Sequence, residues 1–293
     1  MEVITIEPHG FCEGVVRALN EAKIARKEHP LARVYVLGLL VHNEDVVEEF
    51  KHDNFFFCDE AVKSLEAWCE EIPEGSIVVY AAHGHAPIID KIAEERRFIT
   101  YDATCRYVHD NAEIIAREVH LGNSVIYVGR KNHAEAIASL EISPEKVRLF
   151  DSEHPEEDSW KYIDASSPLV LAQTTMDLDD IAFAQQAICA IYPSARFEAK
   201  RCLATERRQN ALTQAPQDID LYVILGSSRS NNTAKLEALA RKSYPQALVL
   251  RVLDLSELKA CGDLAGKKKA ALASGASTSP QAHQEVLTYL QAL

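Results

Sequence analysis

No apolar run in the sequence is long enough to cross a bilayer. The longest, such as "VYVLGLLV" at 34–41, are strand-length, far below the roughly 20 residues a membrane helix needs. No membrane role is expected. A basic surplus is also missing: 31 Lys+Arg stand against 44 Asp+Glu, a formal net charge of −13. Nucleic-acid binding needs a cationic footprint that displaces counterions, so no nucleic-acid partner is expected. Small anions feel local groups rather than the total and stay open. The opening "MEVITIEPHG" has neither a basic segment nor a cleavage site, so no export signal is expected. Seven cysteines occur (Cys12, Cys58, Cys69, Cys105, Cys189, Cys202 and Cys261) but no CxxC pair. An odd count without an export signal suits free thiols or metal ligands in a reducing, cytoplasmic setting rather than a disulfide framework. Lacking CxxC, the chain is neither a zinc ribbon nor a compact ferredoxin-type cysteine run. Gly/Ser tracts are absent too, which predicts packed domains rather than beads on a string.

What is present is a globular composition, 47% hydrophobic and 26% charged over 293 residues, enough for two or three domains. Apolar β-rich runs fall at 2–7, 33–39, 76–82, 98–103, 124–129, 168–173, 220–226 and 268–274. Helical-period segments separate them, for example Gly14–His29, Tyr107–Leu121, Thr205–Gln214 and Thr233–Ser243. This alternation predicts βαβ units, parallel sheets and an α/β fold, with ligands at the C-terminal ends of strands.

Three cysteines share one context. Cys12, Cys105 and Cys202 each follow a short strand-like run and precede a helix, at spacings of 93 and 97 residues. A period of about a third of the chain implies three similar units. Polar residues recur in register after the next strands. His42 lies 30 residues past Cys12, His133 28 past Cys105, and Ser230 and Asn232 28 and 30 past Cys202. One strand further come His83, Thr174 with Thr175, and Ser277, at offsets of 71, 69, 70 and 75. Three small α/β domains follow, 13–104, 105–201 and 202–293, with strand 1–12 joining the last. If they face one another, their strand ends meet at a central cleft, a pseudo-threefold, trefoil-like arrangement. The acid- and Pro-rich segment 151–160 reads as a surface loop.

A thiol at a helix N-terminus is expected to have a lowered pKa, favouring the metal-ligating thiolate. Three such thiolates suit an iron–sulfur cluster or zinc. A cubane cluster on three thiolates would keep one iron open as a Lewis acid. His42, His83, His133, Ser230, Asn232 and Ser277 read as a ring of imidazolium, amide and hydroxyl donors for phosphate oxygens. Asn232 can also cap the helix that follows. Glu135 is the carboxylate inside these segments and a candidate proton donor, with Thr174 placed to hold the relay. Cys58, Cys69, Cys189 and Cys261 have no partners in register and read as structural.

The pieces "GFC-EG", "VHN", "AHG", "DATC", "H-A-E", "QTT", "C-L-A-T-E-R-R-Q", "S-N-N" and "GAS" occur in this order across nearly the whole chain. Together they resemble the 4-hydroxy-3-methylbut-2-enyl diphosphate reductase family of the methylerythritol phosphate route to isoprenoids. The resemblance implies a three-lobed α/β fold around a [4Fe–4S] cluster on Cys12, Cys105 and Cys202. It also implies an allylic hydroxyl bound at the open iron and lost as water. Glu135 would supply protons with Thr174 positioning. His42, His83, His133, Ser230, Asn231, Asn232 and Ser277 would hold the diphosphate, and a small carrier such as ferredoxin or flavodoxin would supply electrons. The chain departs from the family's usual residues at Glu13, Arg106, Ala134, Glu206, Arg207 and Asn231. Alternatives are a divergent paralogue reducing another phosphorylated allylic compound and a non-catalytic, cluster-based anion sensor.

Overall fold

The computed structural model describes residues 1–157, 159–198, 202–262, 264 and 266–293. Asp158 of the 151–160 segment and the last residues of the 105–201 segment, 199–201, lie outside the described residues. In chain order the first elements are β1 (Glu2–Thr5), α1 (Glu13–Glu28), β2 (Val34–Leu37), α2 (Glu44–His52), β3 (Phe55–Cys58), α3 (Leu65–Glu71), β4 (Ile77–Tyr80), α4 (Pro87–Glu95) and β5 (Ile99–Asp102). Next are α5 (Arg106–His120), β6 (Val125–Gly129), α6 (Ala134–Leu140), β7 (Val147–Asp151), β8 (Leu169–Ala172), α7 (Leu178–Ile191) and β9 (Arg196–Phe197). The last are α8 (Leu203–Thr213), β10 (Leu221–Leu225), α9 (Asn231–Ser243), β11 (Leu248–Val252), α10 (Leu255–Ala260), β12 (Lys269–Ser274) and α11 (Pro280–Ala292).

The strands form three four-stranded sheets, ordered β1-β12-β10-β11, β3-β2-β4-β5 and β7-β6-β8-β9, and the described pairings are all parallel. This is the expected α/β class. Each sheet has the same plan: its first strand pairs with the second on one side and the third on the other, and a fourth closes the far edge. In the sheet of β10, β11 and β12 that fourth place is taken by β1, with Glu2 opposite Lys269. So β1, β5 and β9 are equivalent, and each leads into one of the three spaced cysteines.

The chain divides into two compact units. One comprises Met1–Val16, His42–Val46 and Cys202–Leu293; the other comprises Arg17–Val41 and Val47–Arg201. In the first, strand alternation sorts the core onto two faces. Tyr222 and Ile224 pack with Leu212 of α8 and with Leu236 and Ala240 of α9. Leu221, Val223 and Leu225 pack with Leu258 of α10 and with Val286 and Leu290 of α11. In the second unit Ile126, Val128 and Val170 meet Ala184 and Ile188 of α7, while Val125, Tyr127 and Leu171 meet Ile114 and Ile115 of α5. Leu37, Val78 and Tyr80 meet Leu65 of α3 and Ile89 of α4. Strands buried on both faces must be apolar throughout, which is why β4, β6, β8 and β10 read as unbroken apolar runs.

The strand order also locates the ligand edge. From β2 the chain crosses to β3 on one side and then to β4 on the other, so the C-terminal ends of β2 and β4 flank a switch point, where open α/β sheets bind ligands. The same holds for β6 with β8 and for β10 with β12. His42, His83, His133, Thr174, Ser230 to Asn232 and Ser277 all follow these six strands.

Among the described residues no helix is long and apolar enough to cross a membrane. Within 151–160, Glu153 to Pro155 are half-buried or exposed, but Trp160 at the end is 2% exposed and packs on Phe150, so the segment is anchored rather than free over its whole length.

Candidate active site

Within the second unit, β6 and β8 deliver the carboxylate. Glu135 lies in the first turn of α6 and is 1% exposed. Its Oε1 accepts the Thr174 backbone N–H at 2.9 Å and the Tyr127 hydroxyl at 2.9 Å, while Oε2 faces Thr174 Oγ1 at 2.8 Å. Burial pushes its pKa up; the bonds from Thr174, Tyr127 and Asn111 pull the other way without reversing the shift. The asymmetry assigns the proton. Oε1 already receives two donors, so a protonated Glu135 carries its hydrogen on Oε2, directed at a hydroxyl that can both accept and donate. Glu135 is thus not a solvated helix-start residue. Tyr127 and Asn111 went unread in the sequence, although a tyrosine in the apolar run "VIYVG" must find a partner for its buried hydroxyl.

His133 caps α6, its Nδ1 accepting the Glu135 N–H at 3.2 Å. A neutral ring then carries its proton on Nε2 and can donate it outward. Burial, with His83 and Arg130 adding to it, holds the His133 pKa down to about 3. The expected imidazolium is therefore a neutral imidazole at this position. The His83 and His133 rings meet edge to face at 5.7 Å. The Cys105 N–H donates to Ala82 O at 2.9 Å, which seats that cysteine beside His83.

Within the first unit an equivalent bond runs from Cys12 N–H to Ala276 O at 2.9 Å, beside Ser277. Ser277 Oγ donates to His42 O at 2.8 Å, and Asn43 Nδ2 donates to Ser277 O at 2.6 Å. The cap of α9 is Ser230, whose Oγ accepts the Thr233 N–H at 3.3 Å, and not Asn232 as expected. Asn232 lies in the first turn of the helix, 4% exposed, with Oδ1 and Nδ2 both buried and without hydrogen-bond partners. A dry, unpaired amide is costly, and here it lies at a helix N-terminus on the ligand edge, where an anion would satisfy it. Asn231 is equally buried, at 5%.

Two glycines let this turn approach the sheet. A Cβ at Gly275 would overlap Thr233 Oγ1, and one at Gly226 would come within 2.5 Å of the same atom. Gly275→Ala is expected to destabilise the protein by about 1–3 kcal/mol through overpacking and to raise KM, because Thr233 cannot move without Asn232. Thermal unfolding and steady-state kinetics check both effects.

None of the seven cysteines is in a disulfide. Cys105 and Cys202 occupy the N-cap positions of α5 and α8, and Cys12 immediately precedes α1. Cys12 Sγ accepts the Val15 N–H at 3.5 Å. The helix N-terminus thus acts as expected, but burial outweighs it and pushes the Cys12 thiol pKa up. Desolvation of a thiolate without a metal wins over backbone donors. Beside Cys12 and Cys202 in this unit lies Arg208, 4% exposed. Its Nη2 donates to Gly10 O at 2.7 Å and its Nη1 to Ala204 O at 3.1 Å, while the buried Nε has no partner. Two thiols next to a dry cation with an unused donor fit an anionic thiolate-bound group. Among the described residues no three His, Cys, Asp or Glu side chains gather as a single metal ion requires. A cluster does not require this, since each thiolate takes a different iron. Cys58 and Cys69 are fully buried in one core, as structural thiols should be, whereas Cys261 is exposed.

The departures sort by exposure. Glu13, Arg106 and Ala134 are the first helical residues of α1, α5 and α6, a position that suits proline or any good helix former. Glu13, Arg106 and Arg207 are exposed, and Glu13 complements the positive end of α1. Among these, Asn231 alone is buried.

The family model described as LytB protein matches residues 3–291. The 4-hydroxy-3-methylbut-2-enyl diphosphate reductases of Bacillus pumilus (strain SAFR-032) and Bacillus subtilis (strain 168) are each 34% identical, covering 99% of this chain and 91% of theirs. The solved structure of the E-1-hydroxy-2-methyl-but-2-enyl-4-diphosphate reductase from Plasmodium falciparum superposes with a TM-score of 0.87 at 27% identity, over 99% of this chain and 88% of that one. A second, of (E)-4-hydroxy-3-methyl-but-2-enyl diphosphate reductase, the terminal enzyme of the non-mevalonate pathway, has a TM-score of 0.69 at 26% identity, over 100% and 99%. The chain belongs to the LytB family, that of the 4-hydroxy-3-methylbut-2-enyl diphosphate reductases.

Proposed function

We propose that this protein reductively removes the hydroxyl of (E)-4-hydroxy-3-methylbut-2-enyl diphosphate, giving isopentenyl and dimethylallyl diphosphates. The observation that carries the reading is the buried Glu135–Thr174 pair, a carboxyl whose pKa burial pushes up, with a hydroxyl 2.8 Å from its Oε2. A binding module needs anion contacts but no such relay. The reaction consumes two electrons and two protons; one proton leaves with the hydroxyl as water and one ends on carbon. Glu135 Oε2 holds the proton, and Thr174 Oγ1 accepts it while passing its own onward. Tyr127 and the Thr174 N–H keep Oε1 occupied, so the carboxyl cannot rotate.

The diphosphate is held by His42, His83, His133, Ser230, Asn231, Asn232 and Ser277, with the Asn232 amide and the His133 Nε2–H as donors. Cys12, Cys105 and Cys202 are the residues that would hold a [4Fe–4S] cluster. When bound, that cluster supplies an open iron for the allylic hydroxyl and the electrons for its loss. A ferredoxin or flavodoxin is the electron source, in the cytoplasm. The thrice-repeated strand order supports three domains, 13–104, 105–201 and 202–293 with 1–12.

Anaerobic purification followed by reductant-driven turnover of the hydroxylated diphosphate tests the reading. Formation of both five-carbon diphosphates is expected. A cluster-bearing protein that yields neither would overturn it.

A further inference from the structure

A buried cation ordinarily has a carboxylate against it, because an unpaired charge in a dry site costs several kcal/mol even after relaxation. Arg208 has none. Among the described residues no carboxylate lies within ion-pair distance of it; Glu7 acts only from further off. The Cys12 and Cys202 thiols act on it electrostatically, ahead of Glu7. Its fork bonds the carbonyl of Gly10, two residues before Cys12, and that of Ala204, two after Cys202. The guanidinium thus ties the two cysteine loops of the first unit together and leaves Nε–H buried with no acceptor. Both the charge and the donor lack a counterpart.

We propose that Arg208 is the counter-ion of the Cys12 and Cys202 thiolates, and that its fixed charge raises the reduction potential of the group those thiolates carry. The inference rests on the proposed function, since it presumes a thiolate-bound cluster. Reduction adds negative charge, and a cation held beside the ligating sulfurs stabilises the reduced form more than the oxidised one. Charge and hydrogen bonds to sulfur are among the terms that set such potentials. Arg208 is therefore a positioning residue, acting through the cysteines rather than on substrate.

The test uses anaerobically purified full-length protein and reads the midpoint potential by spectroscopically monitored redox titration, with iron and sulfide content measured alongside. Arg208→Gln is expected to keep the cluster and shift the potential negative by about 59 mV, a tenfold lower reduced-to-oxidised ratio at fixed donor potential for one electron. Arg208→Lys keeps the charge but loses the fork. Its potential should stay near that of the unsubstituted protein while its melting temperature falls, which separates charge from packing. If Arg208→Gln does not fold, Arg208→Lys still decides, because a potential shifted by tenfold or more with the charge retained contradicts the proposal. Unshifted Arg208→Gln with an intact cluster overturns this inference alone. Unsubstituted protein without iron and sulfide overturns the proposed function and this inference together.

Discussion

Glu135→Gln is expected to lower turnover by about 10²–10⁴-fold, the usual contribution of a positioned acid, while iron content, absorption spectrum and melting temperature stay at the values of the unsubstituted protein. The geometry makes the substitution clean. A glutamine carbonyl can accept the Thr174 N–H and the Tyr127 hydroxyl where Oε1 does now, and its NH₂ can donate to Thr174 Oγ1. Every hydrogen bond of the buried pair is kept; only the transferable proton is lost. Turnover under excess reductant, with cluster content matched between the two proteins, is the measurement. A Glu135→Gln variant at the unsubstituted rate would mean that the proton reaches substrate by another path.

Cys105→Ala is expected to remove iron and sulfide from the purified protein and with them all turnover. Cys105 is the most informative of the three cysteines for this purpose. Its seat is a backbone bond, Cys105 N–H to Ala82 O, and its side chain contributes no hydrogen bond to the cap of α5. Alanine keeps that seat and α5, so far-ultraviolet circular dichroism and apo-protein thermal unfolding should be unchanged. Loss of metal then reports ligation rather than folding. A variant with full iron and sulfide would remove Cys105 from the ligand set.

The strands the sequence revealed are those that sit inside sheets, together with β1 and β5. The four it hid, β3, β7, β9 and β11, are all edges. An inner strand is covered on both faces and flanked by two neighbours, so it must be an unbroken apolar run. An edge strand can be as short as Arg196–Phe197 or carry exposed residues, as Leu248 and Arg251 do, and its pattern dissolves into the loops. The site was legible for a related reason. Repetition at about a third of the chain marked Cys12, Cys105 and Cys202 and the polar residues after the inner strands, whatever their individual identity. Features with no counterpart in the other thirds were not legible: Tyr127 under Glu135, Arg208 beside the thiols, and Ser230 rather than Asn232 as the cap. Burial reversed two electrostatic expectations, since the Cys12 thiol is raised and His133 is neutral. Spacing places a group at a helix terminus, but the depth of its desolvation depends on how the whole unit closes over it.

The pairing of β1 with β12 bears on the order of events during synthesis. The sheets of β2 to β5 and of β6 to β9 are each made from one continuous stretch and can form as soon as that stretch leaves the ribosome. β1 emerges before either, yet its partner begins at Lys269, so it must wait, unpaired, until that residue has emerged. Cys12 waits with it, because its backbone seat is Ala276. The cysteine that comes first in the chain thus depends on a segment made long after it. A nascent chain cannot hold Cys12 in its folded setting until β12 and Ala276 have left the ribosome.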